Sequence, residues 1–153
     1  MKLRIIKLGI IHLDACLDID RKSLKGLWTK SQWKRELNDP KRICFGVIDI
    51  EDDTKKLLGL CSAWLVLDEL QLTSIAVLPH HFRKGLGKFI LSNLINHSKC
   101  IKTNQIYLEV KETNKPAKAL YKSMGFTKKG QRSNYYKDGS NALIYIKEIT
   151  HKS

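Results

Sequence analysis

The stretch from Ile75 to Leu91 constrains the fold more than any other. An apolar, strand-like run, Ser74-Ile75-Ala76-Val77-Leu78, ends at Pro79. A basic loop with two glycines follows, Arg83-Lys84-Gly85-Leu86-Gly87-Lys88, and an apolar helical pattern begins at once. A strand that feeds a helix through a glycine turn commits the chain to an α/β architecture. It also creates a seat for an anion, because the N–H groups of the first helical turn lack intrahelical partners and carry partial positive charge. Gly85 and Gly87 let a backbone approach closely, and Arg83, Lys84 and Lys88 add full charges. Two familiar phosphate motifs fail on spacing. A P-loop needs glycine where Phe82 stands and Ser or Thr where Phe89 stands, and a dinucleotide fingerprint counted from Gly85 needs a small residue in place of Ile90. What remains is a short x-x-G-x-G form, which by itself says only that an anion can bind.

Around this segment the 153 residues alternate strand-like and helix-like patterns, with no repeat, low-complexity tract or linker, and read as a single domain over 1–153. Leu3 to Leu8 reads as a strand and Ile11 to Asp20 as a helix. Thr29 or Ser31 caps a second helix that stops before Asn38-Asp39-Pro40. Strands are expected at Ile43–Ile50, Leu57–Leu67 and Leu70–Leu78, the last two joined by a turn at Asp68-Glu69. A helix from Gly85 to His97 precedes a strand over Gln105–Val110. Asn114-Lys115-Pro116 starts a fourth helix, with Ala117, Leu120, Tyr121 and Met124 on one stripe and Gly125 closing it. Phe126–Lys129 and Ala142–Glu148 complete an α/β domain with a mixed, mostly antiparallel sheet.

Composition narrows the function classes. No apolar run reaches the roughly 20 residues that span a bilayer, and the charged N-terminus does not read as a signal peptide. Cys16, Cys44, Cys61 and Cys100 lack CxxC pairing and read as buried, reduced thiols in a cytoplasmic protein. His80 and His81 have no carboxylate or thiolate at ligand spacing, so no metal is expected. The net charge of +13 comes mainly from lysine. It fits attraction to polyanions as well as plain solvated faces, and without clustered arginine or interleaved aromatics direct nucleic-acid binding is not expected.

Two residues after the loop can carry acid–base chemistry. Glu109 lies on a short strand, on the same face as Tyr107, and Tyr121 follows twelve residues later on an inward helical stripe. Each has a plainer reading: Glu109 as a solvated strand residue, Tyr121 as core filler, Asn114 as a helix cap and Asp68-Glu69 as a polar hairpin turn.

In spacing and identity together, these elements resemble the GCN5-related N-acetyltransferases (the GNAT family), and within them the RimI type. Phe82-Arg83-Lys84-Gly85-Leu86-Gly87 matches that family's Gln/Arg-x-x-Gly-x-Gly/Ala, with Phe82 departing at the first position. Leu108-Glu109-Val110, Asn114, Ala119-Leu120-Tyr121 and Gly125-Phe126 are similar to its later block, and Arg132, Asn134, Tyr135 and Tyr136 resemble Arg-Arg-Asn-Tyr-Tyr with Ser133 in place of one arginine. Leu27-Trp28-Thr29 and Trp33 are a weaker match to its acceptor-side helices. The resemblance implies a GNAT fold of six to seven strands and about four helices. It also implies acetyl-CoA as acetyl donor, held by Ile75, Ala76, Val77, Arg83, Lys84, Gly85, Leu86, Gly87, Lys88 and Asn114. Glu109 becomes the expected base and Tyr121 the expected acid for direct transfer, and Trp28, Asp68, Glu69, Tyr135 and Tyr136 the expected acceptor contacts. The implied acceptor is the N-terminal alanine of a small-subunit ribosomal protein, modified in the cytoplasm by a monomer that needs no membrane. Another protein N-terminus, a small amine, or a non-catalytic acyl-CoA-binding module are the alternatives.

Overall fold

The computed structural model describes residues 1–151. The elements run β1 (Leu3–Lys7), α1 (Leu13–Ile19), α2 (Lys30–Asn38), β2 (Arg42–Asp49), β3 (Leu57–Val66), β4 (Glu69–Val77), α3 (Leu86–Cys100), β5 (Gln105–Lys111), α4 (Lys115–Ser123), β6 (Thr127–Arg132) and β7 (Ala142–Glu148). The seven strands form one sheet in the order β1-β2-β3-β4-β5-β7-β6. Every neighbouring pair is antiparallel except β4 and β5, which are parallel and joined through α3. This is the expected mixed, mostly antiparallel sheet with four helices.

Local chemistry accounts for the helices. Thr29 caps α2 by accepting from the Gln32 N–H at 3.2 Å, and the Gln32 side chain accepts from the Thr29 N–H at 2.8 Å, a reciprocal capping box. Asn114 caps α4 by accepting from the Ala117 N–H at 3.2 Å, and Pro116 sits in the first turn, where no N–H is needed. α3 carries Leu86, Ile90, Leu91, Leu94 and Ile95 on its buried stripe and runs to Cys100, past the expected end at His97.

Two apolar clusters lie on opposite faces of the sheet. On one, α3 and α4 cover Phe45, Leu58, Cys61, Leu70, Ile106 and Leu108. On the other, α1 and α2 cover Cys44, Ile48, Leu57, Leu60, Ala76 and Leu78. β3 is buried on both faces through most of its length, which explains its nearly unbroken apolar sequence. β6 is an edge strand with almost every residue exposed, and Lys128 and Lys129 on it guard against edge pairing. Cys16, Cys44 and Cys61 are buried free thiols, as expected, but Cys100 is exposed at the end of α3. No helix among the described residues is long and apolar enough to cross a membrane.

The helix expected over Ile11–Asp20 is present as α1, preceded by a 3-10 turn at Ile10–His12, and it continues into a π-helical turn at Asp20–Leu24 that ends at left-handed Lys25, φ 57°. The cause is Asp20. Its carboxylate, 1% exposed, accepts from the Leu27 N–H at 2.6 Å, the Trp28 N–H at 3.0 Å and the Trp33 Nε1–H at 2.6 Å. It thereby fixes the connection between α1 and α2. Asp20→Ala would leave one buried and two part-buried donors without their partner, each a cost of up to roughly 1–3 kcal/mol. A loss of about 3 kcal/mol or more in urea unfolding is the expected result, and a change below about 0.5 kcal/mol, the scale of an ordinary surface substitution, would contradict this account of the segment.

Candidate active site

The site begins with a failure of strand pairing. β4 and β5 pair only through Glu69↔Gln105, Leu70↔Ile106 and Gln71↔Tyr107, although β4 continues to Val77 and β5 to Lys111. The register between β3 and β4 shifts where Ser62 pairs with Ser74 and Ala63 with Leu72, so Thr73 is an extra residue in β4. Its hydroxyl donates back to the Ser62 carbonyl at 2.9 Å. Such a bulge bends and twists its strand, and here it turns β4 away from β5 and opens a gap within the sheet.

Asp68 and Glu69, expected to receive a cationic acceptor, clamp the closed end of this gap. The Asn104 N–H donates to the Asp68 carbonyl at 2.7 Å and its side chain to the Asp68 carboxylate, while Gln105 and Gln71 donate to Glu69. Beyond the bulge, Leu78 N–H donates to Leu58 O at 2.9 Å. By strand alternation, Ala76 therefore directs its peptide groups at β3, whereas Ile75 and Val77 direct theirs into the gap. The Val77 carbonyl there accepts from Ser23 Oγ at 2.7 Å. Of the three β4 residues expected to meet a donor's amides, Ile75 and Val77 face the gap and Ala76 faces β3.

Because β4 and β5 are parallel, both carboxyl ends lie at the open mouth, and so do the N-termini of α3 and α4 that follow. Gly85, the N-cap of α3, has φ 81° and offers no side-chain cap. The helical ladder starts with Phe89 N–H to Gly85 O at 3.0 Å, leaving the N–H groups of Leu86, Gly87 and Lys88 free of helical partners. Gly85 is required by its left-handed backbone. Gly87 has a packing reason instead: a Cβ there would lie 3.2 Å from the Leu120 side chain, where α3 meets α4. Arg83, Lys84 and Lys88 are exposed around this turn, as is Phe82. Asn114 lies at the same mouth as the α4 cap.

The two candidate proton carriers lie on opposite faces of the sheet. Tyr121 belongs to the α3/α4 cluster, 6% exposed, with Phe126 and Tyr145 rings at 5.8 and 6.4 Å. Burial, and secondarily the neighbouring Cys61, hold its phenol well above the usual tyrosine range. Alternation along β5 sends Glu109 to the other face with Tyr107. The two side chains therefore lie on opposite faces of the sheet. Glu109 Oε1 accepts from the Tyr107 hydroxyl at 2.8 Å and lies 2.6 Å from Arg132 Nε. Tyr107 is itself held up by burial and by that hydrogen bond. Tyr107 and Arg132 were not among the expected site residues; period-two spacing from Glu109 and the Arg132–Tyr136 motif were the available signals.

Tyr135 and Tyr136 form an edge-on pair at 5.2 Å on this same side, with Arg132 5.5 Å over the Tyr135 ring and Lys111 5.4 Å over Tyr136. Trp28 packs on Trp33 at 4.7 Å and lines a cavity of about 620 Å³ with Gln32, Glu36, Arg42, Trp64 and Gln71. Among the described residues no cluster of three or more His, Cys, Asp or Glu could hold a metal.

A sheet parted between parallel strands, with a basic helix N-terminus at the mouth and the candidates Tyr121 and Glu109 on its two faces, fits an acyl-group transferase. The chain belongs to the acetyltransferase (GNAT) family, whose model matches residues 13–126. It is 33% identical over 133 residues to a Bacillus subtilis protein provisionally named a ribosomal protein bS18-alanine N-acetyltransferase, covering 86% of each chain. It is 40% identical over 81 residues to the Escherichia coli ribosomal protein bS18-alanine N-acetyltransferase, 53% of this chain and 55% of the relative. The crystal structure of an Escherichia coli ribosomal-protein-S18-alanine N-acetyltransferase superposes with a TM-score of 0.89 at 28% identity, covering 99% of this chain and 96% of the other.

The burial of Tyr121 has a direct optical consequence. Its phenol keeps its proton where an ordinary tyrosine, with a pKa of about 10, ionises. Wild type and Tyr121→Phe should therefore give the same tyrosinate absorbance change between about pH 9 and 11. A smaller change in the variant, meaning that Tyr121 ionises in that range, would contradict the burial described.

Proposed function

We propose that this protein transfers the acetyl group of acetyl-CoA to the N-terminal alanine of a ribosomal protein of the bS18 type, acting as a single chain in the cytoplasm. The observation that carries the reading is the sheet gap between Gln71 and the mouth, in a chain similar over 86% of its length to a protein provisionally named for that reaction. The residues fit the donor. Free first-turn N–H groups with Arg83, Lys84 and Lys88 suit a pyrophosphate. The gap-facing peptide groups of Ile75 and Val77 suit the amides of a pantetheine arm, in the manner of an added strand. Phe82 removes a side-chain contact that most of the family keeps, but the backbone donors remain.

Glu109 and Tyr121 then have complementary tasks. An amine attacks a thioester only when neutral, and an α-amine has a pKa of about 7.7–8.0 against about 10.4 for lysine, a difference of about 3–4 kcal/mol in deprotonation. A carboxylate acting directly or through water therefore suffices for an N-terminus. Glu109 receives the amine on one face of the gap, with Trp28, Tyr135 and Tyr136 around the acceptor chain. Tyr121, kept protonated on the other face, donates its proton to the departing thiolate. No acyl-enzyme is required.

With acetyl-CoA and a peptide beginning in alanine, mass spectrometry should find one acetyl group on the α-amine and none on the same peptide with its N-terminus blocked. Equal labelling of both would indicate lysine chemistry and overturn the reading, as would tight acetyl-CoA binding without turnover. Glu109→Gln and Tyr121→Phe should each lower kcat by about 10²-fold, the usual scale for a general acid or base, and unchanged turnover would remove the residue from its assigned role.

A further inference from the structure

Arg132 closes β6, two strands from Glu109, and the motif around it leaves its task unstated. Its backbone pairs with Ala142 of β7, which pairs in turn with Lys111 of β5. The side chain crosses back over this sheet face, placing Nε 2.6 Å from Glu109 Oε1 and the guanidinium 5.5 Å from the centre of the Tyr135 ring. The Tyr107 hydroxyl donates to the same Oε1 at 2.8 Å. A hydroxyl from β5 and a guanidinium from β6 thus meet at one carboxylate oxygen, while Oε2 accepts no hydrogen bond from any described residue.

Two aspects of this arrangement point away from a purely stabilising role. Arg132 is more than half exposed, and exposed ion pairs contribute little to stability. The hydroxyl and the guanidinium also meet at the same oxygen, where a pair built for stability would use both. What the geometry does achieve is orientation. A glutamate side chain, otherwise free to rotate, is held with one oxygen occupied and the other available. From this we infer that Arg132 and Tyr107 are positioning residues that aim Glu109 Oε2 at the acceptor amine, or at the water that takes its proton. Tyr135, lying under the guanidinium, couples this aim to the loop that would border the acceptor chain. The inference rests on the role proposed for Glu109.

A double-mutant cycle on the full chain separates the two. In the wild-type background, Arg132→Ala should lower kcat by about tenfold or more while leaving the KM for acetyl-CoA unchanged, and Arg132→Lys should restore part of the loss. In the Glu109→Gln background, Arg132→Ala should cost less than about twofold, because a residue acting only through Glu109 has nothing left to position. A loss of equal size in both backgrounds, or no loss in the wild type, overturns the inference while leaving Glu109's role intact. A Glu109→Gln variant with wild-type turnover overturns that role and the inference with it. If Arg132→Ala does not fold, Tyr107→Phe removes a single hydroxyl and carries the same test with the same outcomes.

Discussion

The parting of β4 from β5 after Gln71 is the constraint on which the site depends. Interrupting a ladder in mid-sheet is costly, since a buried peptide group without a partner loses about 1–3 kcal/mol. The fold supplies compensation at particular points. Thr73 turns its hydroxyl to the Ser62 carbonyl, Ser23 caps the Val77 carbonyl, and side chains from Asn104 and Gln105 tie the closed end to Asp68 and Glu69. The remaining gap-facing groups are left for a ligand with amides of its own. Under the proposed mechanism, the gap is the route by which Glu109 and Tyr121, on opposite faces of one sheet, serve one reacting group.

Charge is arranged around the same opening. The overall +13 draws polyanions from a distance, but only at the mouth do Arg83, Lys84 and Lys88 coincide with unpaired helix N–H groups. On the acceptor side the design differs. Buried Asp20 holds Trp28 through backbone donors, and Arg132 and Tyr107 hold Glu109. In the proposed reading, donor recognition relies on backbone and diffuse charge, and acceptor recognition on a few side chains fixed by their neighbours.

Much of this was legible in the sequence where the determinants are local. The Thr29 cap of α2, the Asn114-Pro116 start of α4 and the alternation in β5 all appear where their patterns place them. β7 spans Ala142–Glu148 as expected. Tertiary determinants were not legible. The π-helical turn that follows the helix expected over Ile11–Asp20 carries no local signal, because Asp20 draws its donors from residues 27, 28 and 33. β6 runs beyond Lys129 to Arg132 because pairing with β7, not an apolar pattern, defines it. The inward stripe of α4 correctly buried Tyr121, and the period of β5 correctly paired Glu109 with Tyr107. That the two face opposite sides required the strand order. Ala76 fits the family's segment by identity, yet its backbone points at β3, a distinction that only register can make. Asp68 and Glu69 looked available because their partners, Asn104 and Gln105, lie thirty-six residues away.

The central claim is that the gap beside β4 receives the donor's amides and the first turn of α3 its phosphates. Residue-resolved amide hydrogen exchange with and without coenzyme A tests it most directly. The account predicts that coenzyme A slows exchange at Ile75, Val77, Leu86, Gly87 and Lys88, and leaves Ala76, already paired with β3, unchanged. Coenzyme A bound at saturation with no slowing at Ile75 and Val77 would contradict it.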